Sequence, residues 1–269
     1  MYRYALIAVS MAALAACGQQ AEEPTPAETT AAASTSNSTE SAWIEASITH
    51  PERLSGDNAE DEWRKPAAVL TFLQVRPGIS VIDYMAGGGY YTELLSRIVG
   101  ADGQVIAYNN APYLKYAAEK PALRYDNERL PNVAQLTTAP EDLTLNPDSL
   151  DAALFVQSYH DLHWRSKDGS WPPTDPAAAL AKLVPALKSG ASVVVIDHVA
   201  APGSDPAVSV DALHRIDPAV IKRDFEAAGL VFEAESDTFR NEEDDHTIGV
   251  FDPAIRHKTD QVMYRFRKP

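Results

Sequence analysis

Two groups of residues in this chain have the types and spacing to do chemistry. The first lies just past two short apolar runs. Tyr159, His160, Asp161 and His163 follow Asp151–Gln157, while Asp197 and His198 close a run that begins at Ser192. His214, Arg215 and Asp217 come shortly after. Imidazole changes charge close to neutral pH, so His160 reads as a proton acceptor oriented by Asp161 or Asp197, with His198 and His214 as the next catalytic candidates. The same histidines and acids could instead hold a divalent metal that activates water, since His160 and His163 are one helical turn apart. No complete metal motif accompanies them. The second group is Gly87-Gly88-Gly89, set between an apolar run and an amphipathic one. Glycines in that position let the backbone approach a ligand closely, and free helix N–H groups there face an anion. Each group also has a plain reading. A histidine at a strand end can serve only to satisfy backbone carbonyls, and Asp217 before Pro218 reads as a helix cap. Asn241-Glu-Glu-Asp-Asp-His246 reads as a solvated loop or lid.

These side chains need a scaffold, and the pattern supplies strands alternating with helices. Ile79–Tyr84, Gln104–Tyr108, Val133–Thr137, Asp151–Gln157, Ser192–Asp197, Leu230–Ala234 and Gln261–Arg267 read as strands. Asp57–Leu73 reads as helical, with Pro66 opening a second helix. Tyr90–Val99 is a helix with Leu94, Leu95, Ile98 and Val99 inward and Gly100 ending it; Ala178–Leu187 and Asp217–Gly229 are two more. Such alternation means βαβ units and a mostly parallel sheet covered on both faces, with an antiparallel partner among the last strands. The expected fold is three-layer, doubly wound α/β with a seven-stranded sheet. Its strand ends converge on one cleft, which would gather the glycine turn and the histidines.

The 269 residues carry 23 Lys+Arg against 38 Asp+Glu, a formal charge of -15, which argues against nucleic-acid binding. One cysteine excludes an internal disulfide and any multi-cysteine zinc site. No apolar stretch approaches the ~20 residues that span a bilayer. A basic start, Met1-Tyr2-Arg3-Tyr4, precedes an apolar run from Ala5 to Ala16 broken only by Ser10, the pattern of a secretory signal. Residues 18–42 hold only small, polar and acidic types with proline, and nothing there can enter a core. As a flexible coil this stretch reaches roughly 25–30 Å. The expected organisation is a signal over 1–16, Cys17 and a tether over 17–42, and one domain over 43–269.

Leu14-Ala15-Ala16-Cys17 resembles the lipobox of bacterial lipoproteins. That resemblance implies lipidation at Cys17, and Gly18 after it implies the outer membrane, the domain facing the periplasm. From about residue 60 onward the order of elements resembles a class I S-adenosylmethionine-dependent methyltransferase, Asp83–Gly89 matching its first motif. Lys188-Ser189-Gly190 and Phe225-Glu-Ala-Ala-Gly-Leu230 are also typical. More narrowly, Gly87–Glu93, Tyr159-His-Asp161, His214–Asp217, Val250–Arg256 and Lys258-Thr-Asp260 resemble a group of bacterial exported predicted methyltransferases. The resemblance implies S-adenosylmethionine as cofactor and a small-molecule acceptor near His160. It implies that Gly87, Gly88, Gly89 and Tyr90 meet the methionine carboxylate, Asp83 the amino group, Asn109 the ribose, and Asp142 the adenine end. Three positions depart from the family: Met85 replaces a glycine, Asn109 an acid, and Ala139 the acid after the third strand. A metal-dependent hydrolase and a non-catalytic metabolite-binding module remain the alternatives.

Overall fold

The computed structural model describes residues 41–269; the signal-like segment, Cys17 and nearly all of the expected tether lie outside the described residues. Seven strands form one sheet in the order β3-β2-β1-β4-β5-β7-β6. They are β1 (Ser80–Tyr84), β2 (Gln104–Asn109), β3 (Val133–Thr137), β4 (Leu150–Val156), β5 (Leu187–His198), β6 (Val231–Ser236) and β7 (Gln261–Arg267). The first five run parallel, and β7 is antiparallel to both β5 and β6, between which it lies. Runs such as Val81-Ile82 and Val193–Ile196 are apolar on both faces because helices cover both.

One face of the sheet is packed by α1 (residues 41–48), α2 (Asp61–Arg64) with α3 (Pro66–Leu73), and α4 (Tyr90–Val99). There Ile44, Leu70, Leu94 and Leu95 meet Val81, Val105, Leu154 and Val194. After β2 come two short helices, α5 (Ala111–Ala117) and α6 (Lys120–Tyr125). The opposite face is covered by α7 (Pro176–Leu183) and α9 (Pro218–Ala227), whose Leu180, Ile221 and Phe225 meet Phe155, Val195 and Phe266; α8 (Pro206–Leu213) precedes α9. The last three helices share a start signal. Asp175, Asp205 and Asp217 each stand before a proline and accept the N–H two residues on, from Ala177, Ala207 and Ala219, at 2.9 Å. Among the described residues no helix is long and apolar enough to cross a membrane.

Several elements differ from the sequence reading for local reasons. The helix expected over Ala178–Leu187 stops at Leu183, where Pro185 forces a tight turn, and Leu187 already belongs to β5. Within Asp57–Leu73 the second helix does open at Pro66, as read, after Lys65 turns left-handed at φ 46°. The tether expected to reach residue 42 gives way to helix at 41, within the stretch read as flexible. Helices α5, α6 and α8 had no counterpart in that reading.

Candidate functional site

The sheet order decides which strand ends meet. Because β1 pairs with β4, the glycine turn after Tyr84 lies beside the segment that leaves Val156; because β4 pairs with β5, that segment lies beside Asp197 and His198. A short parallel bridge, Val199 to Ile216, then ties the chain after α8 to the end of β5 and delivers His214 to the same place. The expected convergence of His160, Asp161, Asp197, His198 and His214 is what the structure has. His160 and His198 rings are 6.1 Å apart, and His160 and His214 rings 5.7 Å.

His160 is buried with both ring nitrogens facing carboxylates. Its Nδ1 is 2.7 Å from Asp197 Oδ1, its backbone N–H donates to Asp197 Oδ2 at 2.9 Å, and its Nε2 is 3.4 Å from Asp161 Oδ1. Burial opposes a charged imidazole, but Asp161 and Asp197 overcome it and raise the ring to about 9. Both carboxylates thus favour the protonated ring, which bears against the expected role of His160 as the base. Burial pushes Asp161 up to about 6, even against the neighbouring imidazolium. Burial and the His160 charge hold the other two rings neutral, His198 down at about 3 and His214 at about 4. His198 Nδ1 pairs with the Thr259 hydroxyl at 2.8 Å, and His214 packs between the rings of Trp164 and Phe251.

His163 does not join this cluster. Its Nε2 meets Asp224 of α9 at 3.0 Å, on a carboxylate shared with the Tyr159 hydroxyl, so His160 and His163 are not a ligand pair. Among the described residues no three histidine, cysteine or acid side chains are grouped to hold a metal. Arg215 and Asp244 are likewise structural: both are buried in a bidentate pair at 2.8 and 3.0 Å, which pins the 241–246 loop at one residue while Glu242, Glu243 and Asp245 stay exposed, as read.

The glycine turn has the shape expected and different neighbours. Gly87 and Gly89 take φ of 58° and 78°, and Met85 itself sits at 55°, so the turn is made despite the missing glycine. Asn109 is spent on the turn: Oδ1 accepts the Gly87 N–H at 2.8 Å and Nδ2 donates to the Gly87 carbonyl at 3.3 Å, rather than facing out to a ribose. Asp83 is buried under the turn, accepting the Thr92 hydroxyl at 2.6 Å, and burial raises it to about 6. The Tyr90 hydroxyl is given to Asp61, and Asp142 is exposed at the surface. Asn109, Asp83 and Tyr90 thus spend their side chains inside the protein.

Instead α5 and α6 lie against the turn, and sequence reasoning missed them. Arg124 Nε donates to the Gly88 carbonyl at 2.6 Å, and its guanidinium pairs with Asp57 at 2.8 Å and Glu93 at 2.5 Å. Glu93 is fully buried. Burial alone would raise its pKa, but Arg129, Arg97 and Arg124 together hold it at about 2. The signal was present: two parallel neighbours, β2 and β3, require a crossover helix between them, and residues 110–132 are the only chain available for it.

The strand order and the glycine turn define a class I methyltransferase fold. Residues 48–138, less than half the chain, match the family model of protein-L-isoaspartate(D-aspartate) O-methyltransferase. A SAM-dependent methyltransferase from Aquifex aeolicus superposes with a TM-score of 0.55 at 19% identity, over 85% of this chain and 98% of that one. The (4+2)-cyclase SpnF superposes at 0.56 with 17% identity, over 82% of this chain and 86% of that one. No curated protein matches the sequence. These likenesses establish the fold; the Aquifex relative is, by its name, dependent on S-adenosylmethionine as cofactor. The backbone of the turn fits such a cofactor. The space in front of it does not fit in this conformation, because side chains of α5 and α6 fill it.

Proposed function

We propose that this chain transfers a methyl group from S-adenosylmethionine to a small-molecule acceptor seated over the carboxyl ends of β4 and β5. The observation that carries this reading is the buried cluster of His160, Asp161, Asp197, His198 and His214, one strand away from the glycine turn of a methyltransferase fold. The cofactor, when bound, supplies an electrophilic methyl. The chain's own residues supply position and proton control. His160 is fixed by Asp197, and burial together with the favoured charge on His160 disfavours protonation of His198 and His214. Asp161 is then the group best matched to take the acceptor's proton near neutral pH. Trp164, His214 and Phe251 form an aromatic rim against which an acceptor's apolar part would rest.

We place this activity on a lipid anchor at Cys17, in the outer membrane facing the periplasm; replacing Cys17 by Ser should move the protein from the membrane fraction to the soluble one. The functional test is calorimetric titration of residues 38–269, which form one compact unit, with S-adenosylmethionine and S-adenosylhomocysteine. Saturable micromolar binding is expected. No binding at millimolar ligand would overturn the reading and leave a non-catalytic binding module, which the filled space in front of the glycines favours.

A further inference from the structure

We propose that residues 111–125 are a gate over the glycine turn, closed in this structure, which must swing away before cofactor can bind. The inference rests on the methyl-transfer reading and adds the step that controls entry.

The glycines admit the gate's own side chains. A methyl group placed on Gly88 would lie 2.8 Å from Cδ of Lys120, and one on Gly89 would meet the Tyr125 hydroxyl and lie 2.8 Å from Cδ of Arg124. One on Gly87 would touch the Tyr113 ring at 3.4 Å, and the Tyr113 hydroxyl reaches across to the Gln157 carbonyl at 3.3 Å. The cleft between the turn and the histidine cluster is therefore crossed by Tyr113 and blocked behind it by α6.

How the segment is held points to opening. Only Pro121 and Arg124 of α6 are buried, and its Leu123 is 58% exposed, so little apolar area fastens that helix; α5 is held by buried Ala117 and by Tyr113, which packs on the core and the Trp171 ring. The contacts that fasten α6 are polar: Arg124 to the Gly88 carbonyl, Asp57 and Glu93, and Lys120 to Glu60 at 3.3 Å. Non-glycine residues with positive φ bracket α6 on both sides. Ala118 has φ 54° and ψ -128°, a region open to glycine and strained for alanine, and Asn127 and Glu128 have φ of 58° and 54°. A short helix with a thin apolar anchor, polar latches and a positive-φ joint at each end is built to move as a unit, and Ala118 is the joint at which it turns relative to α5.

Native-state hydrogen exchange on residues 38–269 tests the gate without any ligand. Amides of α6 should exchange at least 100-fold faster than those of α4, by an opening far easier than global unfolding. Exchange of α6 in step with α4 would overturn the proposal. The double variant Lys120→Ala/Tyr125→Ala, which clears Lys120 from Gly88 and Tyr125 from Gly89 and leaves only Arg124 there, should bind S-adenosylhomocysteine at least tenfold more tightly, because the competent state is no longer a minor one. Wild-type binding with no gain in the variant would overturn the gate and keep the methyl-transfer reading. Fast α6 exchange with no binding to either protein would support the opening and sink methyl transfer.

Discussion

Replacing Glu93 by Gln should cost about 3 kcal/mol of stability. The carboxylate has no solvent exposure and sits among three guanidinium groups, with Arg97 at 2.7 Å, Arg124 at 2.5 Å and Arg129 at 2.6 Å. Its pKa is held at about 2 against an ordinary 4.5, a preference for the charged form of roughly 3 kcal/mol. Breaking a buried pair by removing one partner costs ~3–5 kcal/mol by the general rule, and Arg124 keeps Asp57, so the low end applies. Glutamine keeps the shape and removes the charge. Urea unfolding of residues 38–269 should show the midpoint falling with little change in slope, and a melting temperature lower by roughly 6–12 °C. The pH dependence is a second check. A depressed carboxylate pKa stabilises above its unfolded value and loses that contribution as pH falls through the folded one, so the gap between wild type and variant should be full above about 4.5 and fade toward about 2. A gap under ~1 kcal/mol at neutral pH would mean that the charges are solvated, as in exposed ion pairs, and would refute the argument.

The same logic applies elsewhere with different signs. His160→Gln should cost about 3 kcal/mol at pH 6, since the ring sits near 9 instead of 6.5; a raised pKa stabilises below 6.5 and is lost through 9, so melts of the two proteins should converge by pH 10. Proton-detected NMR should find both His160 ring nitrogens protonated at pH 7, and a neutral ring there would contradict the assignment. Arg215→Met leaves Asp244 buried without its partner and should lower stability by ~3–5 kcal/mol in urea titration. Gly89→Ala adds strain at φ 78° and a collision with Tyr125, for a loss of about 2–4 kcal/mol that Tyr125→Ala in the same chain should partly restore.

The framework of the sheet was legible because its strands are apolar runs bounded by glycine and proline. Val81–Tyr84 and Val193–Asp197 can be buried on both faces and little else, and their spacing leaves room for crossover helices. The gathering of His160, His198 and His214 followed from topology alone. What the pattern could not carry was direction and charge. Nothing in the residue types near Asn109 says that its amide would be spent on Gly87, and the pattern that offered Asp161 or Asp197 as the partner of His160 does not say that both would take it, one at each nitrogen. Those outcomes depend on atoms brought together from strands far apart in sequence. Helices α5 and α6 escaped for another reason: they are short, rich in lysine, arginine and tyrosine, and held by ion pairs rather than by an apolar stripe. Helix α4 misled in the opposite sense. It reads as amphipathic, yet every residue but Arg97 is buried, because α1, α6 and the chain around Arg129 wrap its polar side.

The position of β7 bears on how the molecule is made. Its seven residues follow β5 and β6 in the chain, yet lie inside the sheet and hydrogen-bond to β5 on one side and β6 on the other. Until they are synthesised, β5 ends in an open edge and β6 has no strand to join. A ribosome-bound chain can therefore assemble β1 to β5 but must hold two sticky borders until β7 has been synthesised. Removing β7 takes out a keystone and not a fringe, and a truncation at Asp260 should yield aggregates in place of a shortened monomer.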